Sequence, residues 1–208
     1  MIGSNQKKLV LALVENTPTL VFLGLLQATD ELRLAGWAAA AAAAVLFAAF
    51  AHYRIAHHPI LLAINLYILL ITPLIEAGLV LGFKAQARFV IDHTQVGVLL
   101  AVFAVGAWLT AFAKNGFIGV DCGPSSLTRR LSVYLLLASA AAVAWSLAFE
   151  GNRVLAIAVP LAALFGLRQF LVAGLRDRGI DTDALGAAAI AAPAAAVATT
   201  GDGADTLL

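Results

Sequence analysis

Residues 59–83 of this chain read PILLAINLYILLITPLIEAGLVLGF, and this stretch decides the fold. A helix needs about 20 mostly apolar residues to cross the ~30 Å hydrocarbon layer of a bilayer. The stretch exceeds that length, and Glu76 is its single charged residue. Because lipid offers no hydrogen bonds to the backbone, such a segment crosses a membrane as a helix. We therefore predict a transmembrane helix over Pro59–Phe83.

Five further segments of the chain have the same character. Each is a mostly apolar run of roughly the length that a transmembrane helix needs, and turn-forming or charged residues separate it from the next run. They are Leu9–Ala28, Leu34–Tyr53, Val96–Phe112, Leu131–Phe149 and Val154–Val172. The fold class predicted from these runs is all-α: a polytopic helical membrane bundle with six transmembrane helices.

The composition of the whole chain favours a membrane protein over a soluble one. Hydrophobic residues make up 62% of the 208 residues and charged residues 12%. In soluble domains about half of the residues are apolar and about a quarter are charged. So little polar surface cannot cover a water-soluble globule. The net charge of +1 provides no basic field for a nucleic-acid partner. The single cysteine, Cys122, excludes an internal disulfide.

The basic residues near the helix ends predict the orientation, because cytoplasmic loops of membrane proteins carry an excess of Lys and Arg. With the N-terminus inside, the cytoplasmic side carries Lys7, Lys8, Arg54, Lys114, Arg129, Arg130, Arg176 and Arg178. The opposite side carries Arg33, Lys84, Arg88 and Arg153. This bias predicts that both termini are cytoplasmic, which requires an even number of spans. We expect the protein in the inner (plasma) membrane of a bacterium.

Residues 1–175 form the predicted six-helix domain, and residues 176–208 differ from it in composition. The alanine-rich stretch at residues 184–198 contains Pro193 and few large apolar side chains. It is too short and too weakly apolar to cross a bilayer. We expect a mostly disordered cytoplasmic tail there.

The third predicted helix carries a stripe of polar residues. Asn65, Thr72 and Glu76 are spaced by seven and four residues, which places them within ~40° of one another on a helix. Pro73 cannot donate to the carbonyl of Leu69 and leaves it free to accept another bond. No cation is expected at the depth of Glu76, so its carboxyl should lack a charged partner. The stripe predicts a proton- or cation-binding site; alternatively, it holds neighbouring helices together.

Two further ionisable residues lie within predicted helices. Glu15 in the first helix and Arg168 in the sixth each lie about 6–9 Å from the same membrane surface, at 1.5 Å per residue. We predict that they form a structural ion pair between the first and last helices. Two alternatives remain: Arg168 extends to the interface by itself, or the two residues belong to a functional site.

Histidines are grouped where the second predicted helix meets the third. His52, His57 and His58 are expected in a solvated interfacial turn, with a three-histidine zinc site as the less favoured alternative. Cys122 is expected in a plain turn rather than as a nucleophile. The chain has no phosphate-binding glycine loop, no dinucleotide fingerprint, no HExxH and no CxxC. We therefore predict no enzyme activity, no metal and no cofactor.

Two functions fit these features. The first is a small transporter-like or ion/proton-coupled protein, with Glu76, Asn65 and Thr72 binding its ion or small-molecule substrate. The second is a non-catalytic scaffold or assembly protein with membrane protein partners, in which the same residues serve helix packing. In size and helix density, though not in any motif, the chain resembles small bacterial septation proteins of the multipass membrane type. The lipid bilayer is a partner in both cases.

Overall fold

A computed structural model describes residues 14–29, 31–53, 58–120, 124–149, 152 and 154–176. Within these ranges the protein is helical and contains no strand. The helices are α1 (Thr17–Thr29), α2 (Leu32–Tyr53), α3 (Pro59–Val80), α4 (Lys84–Asp92), α5 (Thr94–Phe112), α6 (Ser125–Ala148) and α7 (Val159–Arg176), with a π-helical turn at Val154–Ala158 directly before α7. The prediction of an all-α protein is confirmed.

Five of these helices are long and apolar enough to cross a membrane. They are α2, α3, α5, α6 and the combined π turn and α7. Helix α1 is apolar but has only 13 residues, and the first residues of the predicted span Leu9–Ala28 lie outside the described ranges. Most of the predicted tail, residues 177–208, also lies outside them. The described part of the chain therefore has the architecture of a helical membrane bundle with five long apolar helices.

The helices pack mainly against their neighbours in the chain. Helix α1 packs on α2, α2 on α3, α3 on α5, α5 on α6, and α6 on α7. Successive long helices therefore alternate in direction. Helix α3 begins at the end of the bundle where α5 ends and α6 begins, which we call the His58 end. The opposite end holds the last turn of α3, the beginning of α5 and the short helix α4.

Helix α4 was not predicted from the sequence. The third span was predicted to run to Phe83, but α3 ends at Val80. Gly82 adopts φ +85°, a backbone conformation that side chains rarely tolerate, and the N–H of Phe83 bonds back to the carbonyl of Gly78 at 2.7 Å. This turn stops α3 and starts a second, amphipathic helix of 9 residues.

The connection between α5 and α6 folds back into the bundle. Its residues Phe117 and Ile118 are fully buried, and Gly116 and Gly119 supply positive φ angles of 56° and 71°. Non-helical backbone at membrane depth is stable only where protein groups satisfy it. The N–H of Ile118 donates to the hydroxyl of Ser132 at 3.2 Å. We call residues 113–120 the inserted loop.

Phe117 of the inserted loop packs directly on the backbone of α5 at Gly106. A Cβ atom at Gly106 would lie 2.6 Å from Cε1 of Phe117, closer than real carbon contacts. The phenyl ring is fully buried and belongs to the central cluster that includes Leu99, Val102 and Leu135. Since neighbours enclose it on all sides, the ring cannot move aside at low cost.

We predict that Gly106→Ala destabilises the protein by about 1–3 kcal/mol, because the new methyl group overpacks the buried ring. Gly166→Ala on α7 is the matched control, since nothing lies within 4 Å of its added Cβ. Thermal unfolding of the purified protein measures both effects. Phe117→Leu should restore part of the loss in Gly106→Ala. Equal melting temperatures for the two glycine variants would contradict this packing.

Candidate functional site

Polar side chains from three separate parts of the chain meet at the His58 end. Glu15 lies two residues before α1, His58 directly before α3, and Arg168 in the middle of α7. The inserted loop contributes the carbonyl of Ile118. We call Glu15, His58 and Arg168 the His58 cluster.

Glu15 is 5% exposed and joins the beginning of α1 to α3 through two hydrogen bonds. Its carboxylate Oε1 accepts from the backbone N–H of His58 at 3.0 Å. This donor precedes the first turn of α3, where backbone N–H groups have no partner within the helix. The carbonyl oxygen of Glu15 accepts from Nδ2 of Asn65 at 3.0 Å, and Asn65 is 1% exposed. Glu15 therefore provides an N-terminal cap for α3 from the residues directly before α1.

Arg168 connects α7 to both α3 and the inserted loop. Its Nε donates to the carbonyl of Ile118 at 3.0 Å, and its Nη1 lies 2.8 Å from Nε2 of His58. A guanidinium has only donors, so Nε2 must be the acceptor. His58 is therefore neutral in this arrangement, with its hydrogen on Nδ1.

The Nδ1 atom of His58 is buried and has no hydrogen-bond partner among the described residues. The imidazole packs beside the ring of Phe165, with centroids 5.3 Å apart. The pKa of His58 is lowered from 6.5 to about 3. Burial is the larger cause, and the positive charge of Arg168 is the smaller one. The cluster thus holds an imidazole in its neutral form with one unsatisfied donor.

The structure brings Glu15 and Arg168 to the same place, with His58 between them. Glu15 binds the backbone N–H of His58, and Arg168 binds its side chain. The two opposite charges attract each other across this residue. The structural ion pair between Glu15 and Arg168 therefore stays a prediction, and the hydrogen bonds of both residues run to His58.

The three polar residues of the predicted stripe on α3 serve different neighbours. Asn65 faces Glu15. Thr72 lies against α2 at Gly36, where an added Cβ would be 3.2 Å from its hydroxyl oxygen. Glu76 pairs with Arg33 near the beginning of α2. The stripe spans about 16 Å from Asn65 to Glu76, at 1.5 Å per residue. That these three residues bind an ion or a small molecule stays a prediction.

The expectation that Glu76 lacks a cationic partner is wrong. Nε of Arg33 lies 2.8 Å from Oε1 of Glu76, and Nη2 of Arg33 donates to Oε2 at 2.8 Å. This bidentate geometry is the strongest form of a carboxylate–guanidinium pair. The side chain of Arg33 is 76% exposed and that of Glu76 is 18% exposed. The length of the arginine side chain allows it to reach Glu76 from the end of the bundle.

Sequence reasoning did not identify His58 as a site residue. It placed the histidines in a solvated turn, which is wrong for His58 because Nδ1 is buried. His52 is exposed, and His57 and Cys122 lie outside the described ranges. The position of His58 directly before Pro59 is a usable signal, since a residue before a helix-starting proline is fixed in extended backbone. The participation of Ile118 through its carbonyl has no sequence signal.

No three His, Cys, Asp or Glu side chains approach closely enough to hold a metal ion within the residues that the structure describes. Comparisons of this chain with protein-family models, curated proteins and solved structures found no match.

We predict that Arg33→Gln and Glu76→Gln each lower stability, while the double variant loses less than their sum. The expected coupling is on the order of 1 kcal/mol or less, since Arg33 is largely exposed. A double-mutant cycle of thermal unfolding measures it. Additive losses would show that the two side chains do not interact.

We predict that acid lowers stability through His58. Between its ordinary pKa of 6.5 and about 3 in the folded protein, the unfolded chain binds a proton that the folded protein does not. The free energy of unfolding should therefore fall by about 2 kcal/mol from about pH 7.5 to about pH 5. His58→Gln, which retains an acceptor for Arg168, should remove this part of the slope in melting experiments. An unchanged slope in His58→Gln would contradict the prediction.

Proposed function

We propose that this protein is a proton-coupled membrane carrier and that the His58 cluster is its titratable site. This places the ion site at the His58 end rather than on the stripe of α3. The contact of Nη1 of Arg168 with Nε2 of His58, at 2.8 Å, carries the proposal. The role is non-enzymatic, with a small solute or ion as the transported partner.

This contact acts as a switch between two states. While His58 is neutral, its Nε2 accepts the Arg168 bond. A proton on Nε2 removes the acceptor and places two positive charges beside each other, which low-polarity surroundings make costly. Protonation of His58 and the bond to Arg168 therefore exclude one another. Arg168 must move away when His58 takes up a proton.

The movement of Arg168 reaches other parts of the bundle. Its Nε holds the carbonyl of Ile118, so displacement of the guanidinium releases the inserted loop. Glu15 lies on the other side of His58 as an alternative partner for the released cation. Proton uptake is thereby linked to the relative positions of α7, the inserted loop and α1. Such a linkage is the minimum that a proton-coupled carrier requires.

A second candidate function is a non-catalytic scaffold. The Arg33–Glu76 pair and the contact of Thr72 with Gly36 both join α2 to α3. These contacts favour a packing role for the polar residues away from the His58 cluster. In a pure scaffold, loss of His58 would change stability and assembly but not proton movement.

For topology we propose the six-span arrangement with both termini in the cytoplasm of a bacterial inner membrane. Residues 9–13 are apolar and directly precede the described part of the first helix. They supply the length that Thr17–Thr29 lacks for a span. The excess of basic residues on the predicted cytoplasmic side supports the same orientation.

The carrier proposal is tested by proton flux in proteoliposomes that contain a pH-sensitive dye. Na⁺ and K⁺ gradients are imposed in turn, and the change in internal pH is recorded. We expect cation-driven proton movement with the wild-type protein and its loss in His58→Gln. The matched control is the double variant Arg33→Gln/Glu76→Gln, which removes ionisable groups at the opposite end and should retain flux. Circular dichroism of each variant checks that it is folded. Wild-type flux in His58→Gln would overturn the assignment of the titratable site to the His58 cluster.

A further inference from the structure

We propose that helix α4 binds the phosphate of an anionic phospholipid, through Lys84 and Arg88. The helix lies at the end of the bundle opposite the His58 cluster, so this inference does not depend on the proposed function. It concerns a binding site for a lipid headgroup of defined charge.

The position of α4 places it at the membrane surface. Two helices that are long and apolar enough to span, α3 and α5, flank it at both ends with short connections. With 9 residues, α4 is too short to cross a bilayer. One side of the helix is anchored to the bundle, since Ala87 is buried and lies against Gly78. A short amphipathic helix held in this way lies in the plane of the interface.

The exposed side of α4 combines cations with an aromatic ring. Lys84 and Arg88 are both exposed and stand one helical turn apart, where two like charges repel each other. Phe89 beside them is 62% exposed. Together with Ala85 and Asp92, these residues line an open depression of about 560 Å³. An anion between the two cations relieves their repulsion, and the phenyl ring can enter the acyl region below it.

The charge of this depression fits a phosphodiester. Lys84 and Arg88 contribute two positive charges and Asp92 one negative charge, which leaves a net charge of +1. Three large apolar side chains at the end of α3 and in the turn, Val80, Leu81 and Phe83, are 83%, 69% and 54% exposed. Cations beside large apolar side chains are the combination found in helices that lie at the border between acyl chains and headgroups. A soluble anion would not contact these exposed apolar side chains, whereas the acyl chains of a lipid would.

The test uses a fluorescent reporter placed in the depression. The variant Phe89→Trp is reconstituted into phosphatidylcholine vesicles that contain either brominated phosphatidylglycerol or brominated phosphatidylcholine. Quenching by the bromine atoms reports which lipid contacts the new tryptophan, after subtraction of the signal from the three native tryptophans. We expect preferential quenching by phosphatidylglycerol, on the order of fivefold in relative affinity for each cation.

Variants in the same background separate the site from general charge effects. Lys84→Gln/Arg88→Gln should abolish the preference, whereas Lys84→Arg/Arg88→Lys should retain it. The matched control is Arg129→Gln/Arg130→Gln, which removes two exposed cations near the His58 end and should leave the preference unchanged. Equal quenching by both lipids, stronger quenching by zwitterionic phosphatidylcholine, or a preference that survives Lys84→Gln/Arg88→Gln would overturn the proposal.

Discussion

Hydrocarbon cannot hydrogen-bond, so a polar group inside this bundle is satisfied only by a partner within the protein. The contacts at the His58 end follow from that constraint. Glu15, directly before α1, caps α3, Asn65 donates to the carbonyl of Glu15, and Arg168 donates to a carbonyl of the inserted loop. Each bond joins parts of the chain that are far apart in sequence. Because these bonds join distant parts of the chain, they fix which helices lie together as well as stabilising them.

The charged side chains at the two ends of the bundle have different kinds of partner. At one end, Arg33 and Glu76 form a bidentate pair that is partly exposed, and both charges are compensated. At the other end, the cation of Arg168 is directed at a neutral imidazole, and the carboxylate of Glu15 is occupied by a backbone donor. The first arrangement is complete as it stands. The second depends on the protonation state of His58, and the buried Nδ1 atom of that ring has no partner among the described residues.

Sequence reasoning identified residues that make contacts between helices but missed some of their partners. Helical periodicity placed Asn65, Thr72 and Glu76 on one face of α3, and that face does pack on the first two helices. Periodicity gives the angle of a residue around a helix and its depth, but not which neighbour it meets. The partner of Glu76 was missed because Arg33 reaches it from outside the apolar run. Helix α4 was missed because a pattern of 9 residues is weak beside the long apolar runs that flank it.

The sequence by itself determined that this is an all-helical protein with the long apolar segments that a membrane bundle requires. Length and hydropathy suffice for that, since each spanning helix satisfies its own backbone and needs no neighbour to do so. Only the tertiary structure decided that His58 stands between Glu15 and Arg168, and that the inserted loop brings the carbonyl of Ile118 to the same place. These contacts connect residues that are 43, 50 and 110 positions apart. They depend on helix packing and on a loop held by two glycines with positive φ angles, which no local pattern encodes.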